Sequence, residues 1–164
     1  TPDFENDEKI RQILTLFSFK AKNIFIQTID PNKKWLAELL KNDFYAKQIE
    51  IRKKAFYPPF SQMIKIEIKA KNLNQLNKLA QYTYQLLEKN ISNLFKKEEF
   101  ILSVPLSPTV PKIKKFYLKD IYWRLKIMDK KNKEEQKKLF LKRNAILKLL
   151  PDEVNIEIDP ANLF

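Results

Sequence analysis

The sequence has 164 residues, 44% of them hydrophobic, with 32 lysine and arginine residues against 20 acidic residues and a formal net charge of +12. Cysteine, histidine and glycine are all absent. Their absence excludes disulfides, triads with an imidazole base, the usual zinc ligand sets and glycine-dependent phosphate loops. No apolar run is long enough to span a bilayer, so the expected partner is a polyanion such as nucleic acid and not a membrane.

The chain begins at Thr1 without a methionine or a signal-peptide pattern, and it is expected to be a segment of a longer protein. Residues 4–18 carry an apolar stripe of helical spacing behind several acidic residues, which predicts a helix. Residues 23–28 are typical of a short buried strand. A short helix is predicted after this strand, with Trp35, Leu36, Leu39 and Leu40 along it.

A further helix is predicted from Asp43 to Ala55, anchored by Phe44, Ile49 and Phe56. The run Tyr57-Pro58-Pro59-Phe60 must end this helix, because two prolines remove two backbone donors and push Tyr57 out of the α region. From the residues alone the run is a rigid, half-buried hinge. The pattern then changes to a period of two, with Ile64, Ile66 and Ile68 facing one way.

The second part of the chain predicts an α+β domain of the split β-α-β-β-α-β type. Its predicted strands cover residues 64–70, 100–104, 121–128 and 154–159, and its predicted helices cover residues 73–95 and 133–150. Asn72 is expected to cap the first of these helices, and residues 109–120 are expected to be a basic connection interrupted by prolines. Two helices should therefore pack on one antiparallel or mixed sheet.

The positive charge is concentrated in this part of the chain. Residues 109–143 contain 13 lysine and arginine residues and four acidic ones, a net charge of +9, which leaves +3 for all other residues. Basic and aromatic residues alternate there, and such a mixture suits single-stranded nucleic acid, since cations neutralise phosphates and rings stack on bases. The candidate DNA-binding residues are Lys112, Lys114, Lys115, Lys119, Tyr122, Arg124 and Lys126.

A second interpretation of the same residues stays open, in which Trp123 packs in the core and the lysines form an ordinary solvated face. The sequence offers no candidate catalytic residue and no metal ligands. Its carboxylate pairs lie at charged helix ends, and its serines have no histidine to activate them. Asp159, which precedes Pro160, is expected to cap the last turn.

Six short motifs follow one another along the chain. They are Ile26-Gln27-Thr28, Asp30-Pro31, Asn42-Asp43-Phe44, Tyr57-Pro58-Pro59-Phe60, Tyr122-Trp123-Arg124 and Ile156-Glu157-Ile158-Asp159-Pro160. In this order they resemble the PriA family of bacterial replication-restart helicases. This resemblance implies that residues 1–56 are the end of the second helicase lobe with its connection, a helix-strand-helix remnant. It implies that residues 57–164 are the family's C-terminal DNA-binding domain, which is similar in fold to ribosomal protein S10.

The resemblance further implies what the intact protein does. The family consists of cytoplasmic, nucleoid-associated DNA helicases that use ATP and magnesium to unwind duplexes with 3′ to 5′ polarity and that bind zinc. Their partners are single-stranded or branched DNA, single-stranded DNA-binding protein and primosome proteins. This segment alone is expected to have no enzymatic activity and no cofactor. Where the family has an arginine that reaches the γ-phosphate, Leu16-Phe17-Ser18-Phe19-Lys20 has none, so the parent should hydrolyse ATP poorly.

The family's C-terminal domain also contributes to a site for the acidic tail of single-stranded DNA-binding protein, and by position Lys133 and Gln136 would contribute here. Three hypotheses result. The first is a DNA-binding part of a PriA-like helicase. The alternatives are a protein-interaction module that binds this acidic tail, and an RNA-binding module of the ribosomal type.

Overall fold

The computed structural model describes residues 4–27, 38, 40–127 and 132–160. The chain divides into two compact units, Thr1–Ile51 and Arg52–Phe164. The first unit contains mainly helical structure among its described residues, and the second contains the sheet.

The first unit contains helix α1 (Phe4–Ser18) and most of helix α2 (Phe44–Lys54), which confirms both predicted helices. Phe44 is the anchor that the prediction placed correctly, because it is only 5% exposed and the Arg11 guanidinium lies 5.1 Å from its ring centre. Ile49, the second predicted anchor, is exposed instead.

The strand predicted at residues 23–28 is wrong over its described residues, 23–27, which form neither helix nor strand. Phe25 at its centre is 95% exposed. A short apolar run shows no periodicity that defines a strand, and a strand also needs a partner for its backbone N–H and C=O groups. The helix predicted around Trp35 and Leu36 lies mostly outside the described residues.

The second unit is a four-stranded antiparallel sheet with a fifth, two-residue strand at its edge and two helices on one face. Its elements are β1 (Ser61–Ala70), α3 (Leu73–Leu94), a 3-10 helix (Lys97–Glu99), β2 (Phe100–Leu102), β3 (Lys112–Ile113), β4 (Phe116–Lys126), α4 (Lys133–Leu147) and β5 (Val154–Ile158). The strand order is β2-β4-β1-β5, and β3 pairs with β4. The α+β class and the split β-α-β-β-α-β order are therefore confirmed, and the sheet is antiparallel throughout.

The core lies between the sheet and the two helices. Its central side chains come from the alternate positions of β1 and β4 that the period of two predicts, and from one stripe of α3. They include Ile64, Ile66, Ile68, Leu76, Leu87, Ile91, Ile121, Trp123 and Leu125, all at most 1% exposed. Helix α3 begins where predicted, because the side chain of Asn72 accepts hydrogen bonds from the backbone N–H groups of Asn74 and Gln75.

The run that follows α2 ends the helix as predicted. Helix α2 stops at Lys54, Phe56 takes a left-handed φ of 54°, and the N–H of Tyr57 donates back to the Arg52 carbonyl at 2.8 Å. The peptide bond between Pro58 and Pro59 is cis. Tyr57 is buried, so this run is packed into the second unit.

Residues 109–120, predicted as a basic connection, instead form the end of a long hairpin, with β3, the turn and the first residues of β4. Strand β4 begins at Phe116, five residues before the predicted start at Ile121. The preceding chain runs antiparallel beside it, through β2, a bridge between Leu106 and Asp120, and β3. Prolines interrupt this edge because they cannot donate to the ladder.

Candidate nucleic-acid interface

Two neighbouring lysines form the turn of this hairpin. Ile113 pairs with Phe116, so Lys114 and Lys115 make a two-residue loop, and both side chains are exposed. Lys114 has a φ of 55°, a left-handed conformation that glycine usually provides and that costs another residue about 1–2 kcal/mol. The turn therefore holds two adjacent cations in solvent at one end of the sheet.

Two other predicted lysines lie on the helix-facing side of the hairpin. Paired residues of antiparallel strands point to the same face, and Lys119 pairs with the core residue Ile68. Lys112 pairs with Tyr117, and its Nζ lies 4.6 Å from the centre of the Tyr117 ring and 3.4 Å from the Tyr117 hydroxyl oxygen. Lys112 is exposed, whereas Lys119 is half-buried.

The remaining three predicted residues lie on the opposite face of β4. Tyr122 and Arg124 are half-buried, and Lys126 is exposed with its Nζ 5.9 Å from the centre of the Phe56 ring. The alternation of β4 separates them from Lys119, because successive side chains of a strand point to opposite faces. Trp123 lies between them in sequence but is fully buried in the core.

Tyr122 belongs to a small polar cluster around a buried carboxylate. Asp120 is 1% exposed, and its Oδ2 lies 3.2 Å from the Lys65 Nζ and accepts a hydrogen bond from the Tyr122 hydroxyl at 3.2 Å. A buried charge requires such partners. Burial raises the pKa of Tyr122 well above its ordinary value, and the negative charge of Asp120 and its hydrogen bond raise it further.

Arg124 holds the run after α2 against the sheet. Its Nη1 donates a hydrogen bond of 2.7 Å to the carbonyl of Ala55, and its guanidinium carbon lies 5.0 Å from the centre of the Tyr57 ring. A guanidinium can make both contacts at once because it is planar and carries several donors. Arg124 therefore connects two segments of the second unit that are far apart in sequence.

The seven candidate residues thus fall into three groups and not one surface. The turn carries Lys114 and Lys115, the helix-facing side carries Lys112 and Lys119, and the other face carries Tyr122, Arg124 and Lys126. Of these, Lys112, Lys114, Lys115 and Lys126 are exposed. The turn and Lys112 are close in sequence and form the most accessible group of cations.

Arg143, which contributes to the charge of the basic region, does not add to an exposed surface. It is buried, with its Nε donating to Asn144 Oδ1 at 2.9 Å, a further hydrogen bond from its Nη1 to Gln62 Oε1, and its guanidinium 4.7 Å from the Phe140 ring centre. Burial lowers the pKa of Arg143, while the charge of Asp159 raises it. A count of charges along the sequence therefore overstates the cations available to a ligand.

Lys133 and Gln136 lie in the first turns of α4, with Lys133 exposed and Gln136 half-buried. A cavity of about 240 Å³ lies beside this helix, and its lining includes Lys138, Lys142 and the carboxylates of Glu99 and Glu135. Neither Lys133 nor Gln136 lines this cavity.

The sequence interpretation missed Lys65 and Asp120 as partners of Tyr122. Lys65 pairs directly with Tyr122 across β1 and β4, but this register depends on where two distant strands begin. The interpretation also missed Lys71, whose Nζ lies 6.0 Å from the centre of the Phe116 ring at the same end of the sheet as the lysine turn. Only the pairing of β1 with β4 brings these residues together.

Asp159 is expected to cap the last turn, but its carboxylate bonds instead to the start of β1. Its Oδ1 accepts a hydrogen bond from the Met63 N–H at 3.0 Å, and its Oδ2 accepts one from Gln62 Nε2 at 2.9 Å. These bonds fix the end of β5 beside the start of β1.

Within the described ranges, no group of three or more histidine, cysteine or carboxylate side chains is arranged to hold a metal ion. Over the same part of the chain, no helix combines the length and apolar character that crossing a bilayer requires.

The chain is 33% identical over 151 residues to the replication restart protein PriA of Borreliella burgdorferi. The alignment covers 83% of this chain and 22% of that relative, so the chain spans about a fifth of the relative's length. No protein-family model matches the chain. The similarity supports the PriA-like relation that the motifs predict, over most of the chain.

Proposed function

We propose that this chain is the DNA-binding C-terminal part of a PriA-like replication restart protein and that it binds single-stranded or branched DNA. The observation that carries the proposal is the similarity to PriA over 83% of the chain. The exposed pair Lys114 and Lys115 supports it, because adjacent solvated cations at the tip of a hairpin can approach a phosphate backbone without prior rearrangement.

The fold supports assigning the second unit to the C-terminal domain of the family. A split β-α-β-β-α-β sheet with both helices on one face is the arrangement expected of a domain similar to ribosomal protein S10. In the intact protein this domain would act in the cytoplasm together with single-stranded DNA-binding protein and primosome proteins during replication restart.

ATP, magnesium and zinc are implied for the intact family, but the residues of this chain do not fit them. The chain has no cysteine or histidine for a usual zinc site and no glycine for a phosphate loop. No step of helicase chemistry is therefore assigned to these residues. Their proposed contribution is to hold DNA.

The proposal is tested by fluorescence anisotropy of a labelled oligo(dT) and a labelled fork with the full chain, titrated over a range of salt concentrations. Wild type should bind both ligands at low salt, and the affinity should fall as salt rises. Replacing Lys114 and Lys115 together by glutamate should weaken binding about tenfold or more. The slope of log affinity against log salt should fall by about 0.7 for each single-strand phosphate contact that is lost.

Lys96 and Lys97 provide the matched control, since they are also adjacent, exposed and in the second unit but lie outside the hairpin. Changing both to glutamate introduces the same charge and should have a much smaller effect. No binding at low salt, or equal losses in the two double variants, would contradict the proposal. Tighter binding of structured RNA than of DNA would favour the ribosomal-type module instead.

The interaction with an acidic tail is tested with the same proteins. A labelled peptide with an acidic C-terminus is titrated with wild type, the Lys114/Lys115 double variant and Lys133→Ala. Binding that survives the loss of the turn but fails with Lys133→Ala would favour the protein-interaction module over the DNA-binding proposal.

A further inference from the structure

A basic groove lies beside the lysine turn, at the end of the sheet where β1 leads into α3. Its volume is about 830 Å³, within the range of about 300–1,000 Å³ typical of small-molecule sites. The charged and aromatic side chains that line it are Lys69, Lys71, Lys78, Tyr82, Phe116 and Glu153. Three cations therefore face one carboxylate.

Helix α3 supplies one wall of this basic groove. Lys78 and Tyr82 are four residues apart on α3, so their side chains are neighbours on one side of the helix. Both are exposed, and Tyr82 is 55% exposed although aromatic rings usually bury most of their surface. The wall thus presents an ammonium group and an aromatic ring to the same solvent space.

The hairpin supplies another part of the lining, through Phe116. Phe116 directly follows the lysine turn and is 37% exposed, and the Lys71 Nζ lies 6.0 Å from the centre of its ring. The pairing of Ala70 with Tyr117 places the end of β1 beside this part of β4. Phe116, which lines the basic groove, directly follows Lys115, so the groove adjoins the turn of Lys114 and Lys115.

We infer that the basic groove holds a short segment of single-stranded DNA, with its bases against Tyr82 and Phe116 and its phosphates near Lys69, Lys71 and Lys78. Aromatic faces stack on bases of any identity, and lysines neutralise the backbone between them. An acidic peptide would use the lysines but would gain little from two exposed rings. The inference rests on the proposed DNA binding and adds a second contact region and a preference for unpaired bases.

The test compares oligo(dT) with an abasic oligonucleotide of the same length and charge, using anisotropy with the full chain. Tyr82→Ala should weaken oligo(dT) binding about fivefold or more, which is the usual loss for one stacked base, and should leave abasic binding unchanged. Lys78→Ala should weaken both ligands. Thermal unfolding of each variant should match wild type, because both positions are exposed on α3.

Lys89→Ala is the matched control, because Lys89 is exposed on the same side of α3, about three turns beyond Lys78, and does not line the basic groove. It should bind both ligands like wild type. If wild type and the Lys114/Lys115 variant behave as proposed while Tyr82→Ala and Lys78→Ala match Lys89→Ala, the groove inference alone is wrong. If wild type binds neither oligonucleotide, the proposed function fails.

Two further outcomes would overturn the inference. Equal losses of oligo(dT) and abasic binding in Tyr82→Ala would show that the ring does not stack on a base. An acidic peptide that binds more tightly than oligo(dT) and depends on Lys78 would identify the basic groove as a protein-binding site.

Discussion

Helix α1 in the first unit leaves much of its apolar stripe in solvent, with Ile13, Leu16 and Phe17 all about half exposed. In contrast, the two central strands of the second unit bury their helix-facing aliphatic residues and Trp123. Among the described side chains of the first unit, Phe44 is the buried one, and it is covered by Arg11. Both units have apolar side chains at regular spacing, but only the second uses them to build a large core.

The difference shows what a periodic pattern can and cannot establish. An apolar stripe stabilises a helix only when another surface covers it, and the pattern itself does not specify that surface. In the second unit the sheet presents alternating apolar residues from several strands, so one face covers two helices at once. Stability of the described structure should therefore reside mainly in the second unit.

The largest expected effect comes from Trp123→Ala. Trp123 is fully buried and packs edge-on against Phe95, with ring centres 5.8 Å apart, so its removal leaves a large cavity. The free energy of unfolding should fall by about 3–5 kcal/mol, measured by urea unfolding followed by far-UV circular dichroism. Trp123→Phe should cost clearly less, because the buried indole Nε1 has no hydrogen-bond partner to lose.

Phe19→Ala in the first unit is the control for this comparison. Phe19 is 84% exposed, and its truncation should change the free energy of unfolding by less than about 0.5 kcal/mol. A loss as large as that of Trp123→Ala would mean that Phe19 is packed in solution, and the contrast between the units would not hold.

The sequence predicts the core strands well because β1 and β4 alternate strictly. Ile64, Ile66 and Ile68 are buried as their spacing indicates, and Asn72 caps α3 as its residue type indicates. The hairpin was missed because its turn has none of the usual signals. Two-residue turns favour Asn-Gly or Asp-Gly, whereas this chain has no glycine and uses Lys114 and Lys115.

The candidate site was predicted less well, for a related reason. A run of basic residues shows how much charge a segment carries but not which way each side chain points. Because β4 begins at Phe116 and includes Lys119, the side chains of Lys119 and Arg124 point to opposite faces of the sheet. The partner of Arg124 is the carbonyl of Ala55, 69 residues away, and no local pattern could indicate such a contact. Lys78 and Tyr82 also lie far from the basic run in sequence.

A medium effect is expected from Arg124→Ala, which tests how firmly the second unit holds the segment that follows α2. The change removes the hydrogen bond to the Ala55 carbonyl and the stacking on Tyr57. The free energy of unfolding should fall by about 2 kcal/mol in urea unfolding, because the lost bond involves a charged donor. Arg124→Lys should recover only part of the loss, since an ammonium cannot make both contacts.

Lys126→Ala is the matched control, as Lys126 lies two residues further on the same face of β4 and is exposed. It should leave the free energy of unfolding within about 0.5 kcal/mol of wild type. If Arg124→Ala also leaves the free energy of unfolding unchanged but abolishes binding of oligo(dT), then Arg124 contributes mainly to DNA binding and not to holding the segment that follows α2.

The smallest expected effect is a change in the pH dependence of stability in Tyr122→Phe, which develops only at high pH and adds to the pH-independent loss of the hydrogen bond to Asp120. Burial and the Asp120 carboxylate raise the pKa of the folded Tyr122 above its ordinary value, whereas an unfolded tyrosine has a pKa of about 10. Above pH 10 the unfolded chain loses this proton while the folded chain keeps it, so the free energy of unfolding falls as pH rises.

Phenylalanine at position 122 has no proton to lose in this pH range. The difference between the wild-type and Tyr122→Phe unfolding free energies should therefore be constant up to about pH 9 and should shift against wild type by at most about 1 kcal/mol at pH 11, because solvent screens a half-exposed group. Parallel curves up to pH 11 would show that neither burial nor Asp120 raises the pKa of Tyr122 in the folded protein, and would contradict the packed polar cluster with its hydrogen bond of 3.2 Å.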